Sequence, residues 1–226
     1  MPDRFHADPM PEPAERPFTS AILLAAGVSR RMGTLKALLD WHGRPLIMHQ
    51  IVSLREAGAD EVVVVVGHRA DELQARIGAN RDVYFAGNVR CVINTSYSEG
   101  KTTSIKIGLM GITNDPDHRG PILMLNVDQP RSPSIIRQVL SAHADHPDLL
   151  ITIPTCNGKG GHPIAISRSL HQEMLEITEA TEGMRAVTER HKQSSQRVEL
   201  GAPELLWDVN TPEQYQSALA ASRAVH

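Results

Sequence analysis

The chain has 226 residues, 41% hydrophobic and 22% charged, with a formal net charge of −3. That is an ordinary soluble composition, with room for one sizeable core or a core plus a small subdomain. It lacks the basic face that nucleic acid demands, and its longest apolar run, at 62–66, is far too short to span a membrane.

Residues 1–18 are rich in proline (Pro2, Pro9, Pro11, Pro13, Pro17) and have no apolar central segment. They read as a disordered leader, not a secretory signal. An apolar run at 20–26 reads as a buried strand. A helix follows at 45–57, ending near Gly58, then a nearly pure valine strand at 61–66, apolar on both faces as in a parallel sheet. Next come a short helix at 71–77, a third strand at 89–94, and a helix at 102–111 with Ile105 and Leu109 one turn apart. A fourth strand at 121–127, a helix at 134–143 and a fifth strand at 149–153 complete the regular part. Beyond Thr155 lie a glycine-rich loop at 157–163, a strand at 164–166, and helices at 169–177, 184–191 and 213–221.

This alternation predicts an α/β fold with a doubly wound, mostly parallel, Rossmann-like sheet and right-handed crossovers. Ligands of such sheets sit at the carboxyl ends of the strands, near a topological switch point. Residues 19–226 read as a single domain, with 155–200 forming a small subdomain on the same sheet. Cys91 and Cys156 form no paired framework and read as buried small hydrophobes, which fits a cytoplasmic chain. The eleven histidines form no H-E-x-x-H or Cys/His cluster and read mostly as surface residues.

The first strand runs into Leu24-Ala25-Ala26-Gly27-Val28-Ser29-Arg30-Arg31-Met32-Gly33-Thr34-Leu35-Lys36. Small residues after a strand let backbone N–H groups close on a phosphate. Arg31 and Lys36 could neutralise a polyphosphate as charge develops. The spacing is neither G-x-x-x-x-G-K-[ST] nor G-x-G-x-x-G. Asp128 follows the fourth strand, where a carboxylate beside a phosphate loop suits Mg²⁺. The alternative role is to cap the next helix, although Ser132 before Pro133 is better placed for that. Thr211, Pro212 and Gln214 are accounted for as a helix start with a capping box, which leaves Asp208 and Asn210 over. Thr102, Thr103 and Ser104 stand where they could cap the helix at 102–111.

The loop matches every fixed position of L-A-A-G-x-S-x-R-M-G-x-x-K, and in this it resembles the molybdenum-cofactor nucleotidyltransferases, above all the CTP:molybdopterin cytidylyltransferases. The methylerythritol-phosphate cytidylyltransferases and sugar-1-phosphate nucleotidyltransferases are more distant look-alikes. The resemblance implies that Leu24, Ala25, Ala26, Gly27, Ser29, Arg31, Met32, Gly33 and Lys36 bind a nucleoside triphosphate. It further implies that Gly100 and Ser104, in a Gly-x-x-x-Ser-hydrophobic-x-x-Gly-Leu pattern completed by Gly108 and Leu109, contact base and ribose. Lys101 stands where that family has a small or apolar residue. GTP-using relatives show Leu-Ala-Gly-Gly, whereas Ala26 here precedes Gly27 as in CTP-using ones.

In the resembled family a [DN]-x-[DN]-T-P-E segment completes a magnesium site, which implies Asp128 with Asn210, or with Asp208 as the competing ligand. Gly161, His162 and Pro163 resemble an acceptor-side element, although a bare turn explains them as well. This makes 155–200 an acceptor-side subdomain. Glu182-Gly183-Met184-Arg185 resembles the tail of D-x-G-x-R, with Thr181 in place of Asp and with Arg185 either on acceptor phosphate or solvated. Together these imply a Mg²⁺-dependent enzyme moving CMP from CTP to a phosphate-bearing acceptor, molybdopterin, through Arg31, Lys36 and Asp128. A molybdenum enzyme is the implied client. GTP with molybdopterin, methylerythritol-phosphate or sugar-1-phosphate acceptors, and a non-catalytic nucleotide-binding chaperone are the alternatives.

Overall fold

The computed structural model describes residues 16–79 and 88–223. β1 (Ser20–Ala25) and β4 (Glu61–Val66) are buried along their whole length and pair in parallel, Ser20 opposite Glu61 and Ala25 opposite Val66. β5 (Val89–Ile93) flanks β4, and β6 (Ile122–Asn126) flanks β1 on its other side, both in parallel. β9 (Ile164–Ile166) then runs antiparallel to both β6 and β7 (Ile151–Cys156), and β10 (Ser195–Glu199) lies parallel to β7 at the edge. The sheet order is β10-β7-β9-β6-β1-β4-β5, with a short β8 (Lys159–Gly160) folded back on β7. A separate ribbon joins β2 (Asp40–Trp41) to β3 (Arg44–Pro45). The mostly parallel α/β sheet expected from the alternation is present, with β9 as its antiparallel insertion.

Side chains of β1 alternate across the sheet. Ala21, Leu23 and Ala25 pack with α1 (Leu46–Glu56), α2 (Ala70–Gly78) and α4 (Pro133–Ala144) through Ile51, Leu54, Ile77 and Ile136. Ile22 and Leu24 face α3 (Lys101–Gly111), α5 (His171–Leu175) and α6 (Met184–Arg190) through Ile105, Leu109, Met174 and Val187. α7 (Pro212–Arg223) closes a smaller cluster around Trp41, Leu46 and Val209. Continuous apolar strands are thus explained by helices on both faces. Gly108 has a packing role: a methyl group there would overlap the Ile22 side chain, so α3 reaches the sheet only because this residue is glycine.

Several expectations are corrected. The chain is fixed from residue 16, not 19. The Arg16 guanidinium donates to both oxygens of Asp60 at 2.8 and 2.6 Å, and the Phe18 ring stacks on His118. The rest of the proposed leader, 1–15, lies outside the described residues. β7 starts and ends later than 149–153, because pairing with β10 carries the ladder on to Thr155 opposite Glu199. β10 itself carries only Val198 as an aliphatic residue, as an edge strand can, and has no pattern to announce it. The helix expected at 169–177 is a 3₁₀ turn (Arg168–Leu170) followed by α5. Two histidines depart from the surface reading. His143 is buried with Nδ1 2.9 Å from Thr152 Oγ1, and His162 is held in a packed loop. Cys156 is buried and Cys91 partly so; both are free, and burial pushes the Cys91 thiol up to about 11.

Candidate active site

The chain leaves β1 through two left-handed residues, Ser29 (φ 57°) and Gly33 (φ 68°), which bracket a 3₁₀ turn at Arg30–Met32. Glycine meets this φ without strain, and Ser29 is the exception that needs support. It has some: its carbonyl accepts from Met32 N at 3.0 Å and its Oγ accepts from Lys36 N at 3.2 Å. Met32 and Leu35 are buried and pin the loop to the core, so Arg30 and Arg31 face outward and Lys36 turns inward.

Lys36 Nζ donates to Asp128 Oδ2 at 2.9 Å and to Asn210 Oδ1 at 2.6 Å. The two side chains of the ion pair are only 14% and 25% exposed, so water screens it little. The tip carrying Asp128 is fixed from beneath. Gln50 of α1, fully buried, donates to the carbonyls of Asn126 (3.3 Å) and Gln129 (2.5 Å) and accepts from Arg131 N (3.2 Å). Val209 N donates to the Asp128 carbonyl at 2.8 Å, and Val209 is itself buried, so Asp208 and Asn210 line the cleft on either side of that anchor. Asp208 accepts from Gln129 Nε2 at 2.6 Å, leaving Asn210 as the residue that converges with Asp128. Ser132, not Asp128, caps α4, accepting from Ile135 N with Pro133 in the first turn.

The opposite wall is the start of α3. None of Thr102, Thr103 or Ser104 caps it. Glu179, 77 residues further along the chain, accepts from Thr102 N at 2.7 Å, and this donated bond holds the carboxyl below its ordinary range. Buried Asn94 instead binds Thr103 Oγ1 and Ser104 Oγ, both at 2.9 Å, and fixes the first turn to the end of β5.

These walls enclose a cleft of about 470 Å³ at the carboxyl ends of β1 and β6. It gathers Leu24, Ala25, Ala26, Gly27, Ser29, Lys36, Gly100, Ser104, Asp128 and Asn210 in one place, together with Tyr97, Ser98, Lys101, Gln129 and Asp208. Arg31 lines an adjoining hollow that shares Ser29, Lys36, Tyr97, Ser98 and Asn210 with it. Met32 and Gly33 shape the turn and line neither hollow. Gly161, His162 and Pro163 also stay out of the lining. Their loop is strapped beside it, the His162 carbonyl accepting from Arg131 Nε at 2.7 Å and Gly161 packing on Leu205. Arg185 is exposed, 3.6 Å from Glu182, and lines neither hollow.

Arg131 is the main positioning residue that motif reasoning missed. Its guanidinium also donates to the carbonyls of Pro130, Leu205 and Trp207 at 2.8, 2.9 and 3.2 Å, joining three loops around the cleft. Burial brings it down to about 10, against the pull of Glu204, Asp208 and Asp128. Burial also brings His162 down to about 3, helped by the charges of Lys101 and Arg131. Lys101 is lowered by the surrounding protein, with Asp128, Asp208 and Glu179 opposing.

The chemistry available is that of anions. A glycine-bearing loop with two cations faces a carboxylate and an amide oxygen that point at one spot. Among the described residues no group of three His, Cys, Asp or Glu side chains could hold a metal by itself. The two oxygens of Asp128 and Asn210, both within hydrogen-bond reach of a single ammonium, fit a hard cation that completes its shell with phosphate oxygens.

A family model described as the MobA-like NTP transferase domain matches residues 21–195. The molybdenum cofactor cytidylyltransferase of Escherichia coli K12 is 27% identical over 199 residues, 87% of this chain and 93% of that protein. The nicotine blue oxidoreductase of Paenarthrobacter nicotinovorans is 28% identical over 212 residues, covering 88% and 95%. Among solved structures, a nucleotidyl transferase from Methanothermobacter superposes with a TM-score of 0.73 over 92% of this chain and 99% of that one, at 23% identity.

Proposed function

The chain belongs to the MobA-like NTP transferase family, and from that premise we propose that it transfers CMP from CTP to the terminal phosphate of molybdopterin and releases pyrophosphate. The observation that carries the reading is Lys36 Nζ set between Asp128 and Asn210 at the mouth of the phosphate loop. A phosphate oxygen of the acceptor attacks the α-phosphorus of CTP, and the bond from that phosphorus to the bridging oxygen breaks. An anionic phosphate is already a nucleophile, so placement and charge neutralisation suffice. The backbone from Ala26 to Gly33 cradles the triphosphate, and Lys36 and Arg31 offset charge on the α-phosphate and the leaving pyrophosphate. Asp128 and Asn210 hold Mg²⁺. When bound, the ion supplies positive charge against the phosphates.

Two observations support CTP over GTP: the likeness to the E. coli cytidylyltransferase over most of both chains, and Ala26 in the cleft lining at the position where GTP-using relatives carry glycine. Pure binding would not need Lys36, Arg31 and Asp128 together, which disfavours a silent chaperone. The likeness to nicotine blue oxidoreductase supplies the competing enzyme class, a redox reaction on the same scaffold. We place the reaction in the cytoplasm, with a molybdenum enzyme as recipient of the product. Among the described residues no helix is long and apolar enough to cross a membrane.

The test is pyrophosphate release with Mg²⁺ and CTP, GTP, ATP or UTP, with and without molybdopterin. Release that needs both CTP and molybdopterin is expected. Release with a different acceptor would keep the chemistry and discard molybdopterin. No release with any pair would overturn the transferase reading.

A further inference from the structure

Lys101 opens α3 and lines the cleft, yet among the described residues its ammonium makes no hydrogen bond and no ion pair. Lys36 is committed to Asp128 and Asn210, and Arg31 faces the adjoining hollow. Lys101 is therefore an unspent cation inside the cleft itself. The charged groups it senses are Asp128, Asp208 and Glu179, and it in turn acts on His162. Asp128 and Asp208 belong to the β6 tip and the 207–210 segment, and His162 to the loop that Arg131 straps beside them. Lys101 thus lines the main cleft, with Asp128 and Asp208, and not the adjoining hollow of Arg30 and Arg31.

We propose that Lys101 binds the phosphate group of the second substrate in the part of the cleft lined by Asp128 and Asp208, and so selects a phosphate-bearing acceptor. This rests on the transferase reading for what the acceptor does next, but not for the anion site itself. Two phosphates brought together beside Asp128 and Asp208 repel one another, and with Lys36 and Arg31 taken up by the nucleotide the acceptor's charge is left unopposed. A lysine there supplies a point charge with rotatable donors, suited to a phosphate of variable orientation. It also keeps the acceptor fully ionised, so its oxygen attacks the α-phosphorus and pyrophosphate leaves without any proton passing through the protein.

The experiment is equilibrium titration of the full chain with inorganic phosphate, in the presence of a CTP analogue whose α–β bridging oxygen is a methylene group. Lys101→Met should weaken phosphate binding about tenfold, the worth of one charge-assisted bond, and leave affinity for the analogue within about twofold. Lys101→Arg should restore most of the loss. Lys101 is exposed, so the variants should melt with the wild type, and a melting curve checks that. Unchanged phosphate binding in Lys101→Met, loss of the analogue instead of phosphate, or no phosphate binding by the wild type would each overturn the proposal. Phosphate binding that depends on Lys101, in a protein that releases no pyrophosphate, would overturn the transferase reading alone.

Discussion

Lys36 and Asp128, 92 residues apart in the chain, meet at 2.9 Å with the lysine ammonium standing where the carboxylate and Asn210 would hold a cation. A divalent ion held there, as proposed, would have to compete with the ammonium for the same two oxygens. On the proposed function, a bound triphosphate would draw Lys36 toward its phosphates and free the two oxygens.

Lys36→Met should consequently do two opposite things. Turnover should fall about 10²-fold or more, by the yardstick of one lost electrostatic donor. Mn²⁺ affinity without nucleotide, read by electron paramagnetic resonance of the free ion, should rise. Unaltered Mn²⁺ affinity in this variant would show that the ammonium does not mask the site.

The two acidic candidates beside the cleft should separate cleanly. Asp128→Asn is expected to cost about 10²-fold in turnover, on the same yardstick. Asp208→Asn should cost well under that, because Asp208 is turned to Gln129. Equal losses measured by pyrophosphate release would move the metal ligand from Asn210 to Asp208.

Gly108→Ala tests packing against nucleotide contact. Alanine favours a helix over glycine by up to about 1 kcal/mol, but the added methyl group overlaps Ile22 of β1. Overpacking costs about 1–3 kcal/mol, so a net loss of stability in urea is expected. CTP affinity of the folded variant should stay at the wild-type value. Stabilisation, or a selective loss of CTP binding, would contradict the packing role.

Acid should weaken the fold before the carboxylates titrate. Burial holds His162 at about 3 in the folded chain, against an ordinary value of 6.5, so below 6.5 only the unfolded chain takes up that proton. The stability it contributes is whole above pH 6.5 and drains as pH falls toward 3, by on the order of 1 kcal/mol per pH unit. His143 is lowered in the same direction by burial. Urea midpoints between pH 6.5 and 5 should fall in the wild type and fall less in His162→Gln. Parallel profiles would show that His162 is not held neutral.

What could be read from the chain was local. The valine strand, the β1 run and the phosphate loop each announce themselves within a dozen residues, and Ser132 with Pro133 fixes its own helix start. What could not be read is carried by partners remote in sequence. Glu179 caps α3 from 77 residues away, Gln50 reaches the Asp128 tip from α1, and Arg131 joins loops whose contacts are backbone carbonyls that leave no residue signature. The nominal cap residues 102–104 failed because Asn94 claimed Thr103 and Ser104. Arg185 and the 161–163 loop carry motif residues, yet stand outside the cleft that the first two motifs build.

β9 lies antiparallel between β6 and β7, so the chain leaves β7 and re-enters β9 at one and the same rim, the rim where Asp128 stands. The segment between them, 157–163, folds back on β7 through β8 and is tied at the border of the cleft by Arg131. Its length and side chains can change while β1, β4 and β6 keep their register and the phosphate loop its shape. The border of the cleft can thus change in a single turn while the strands that carry the phosphate loop and Asp128 stay as they are.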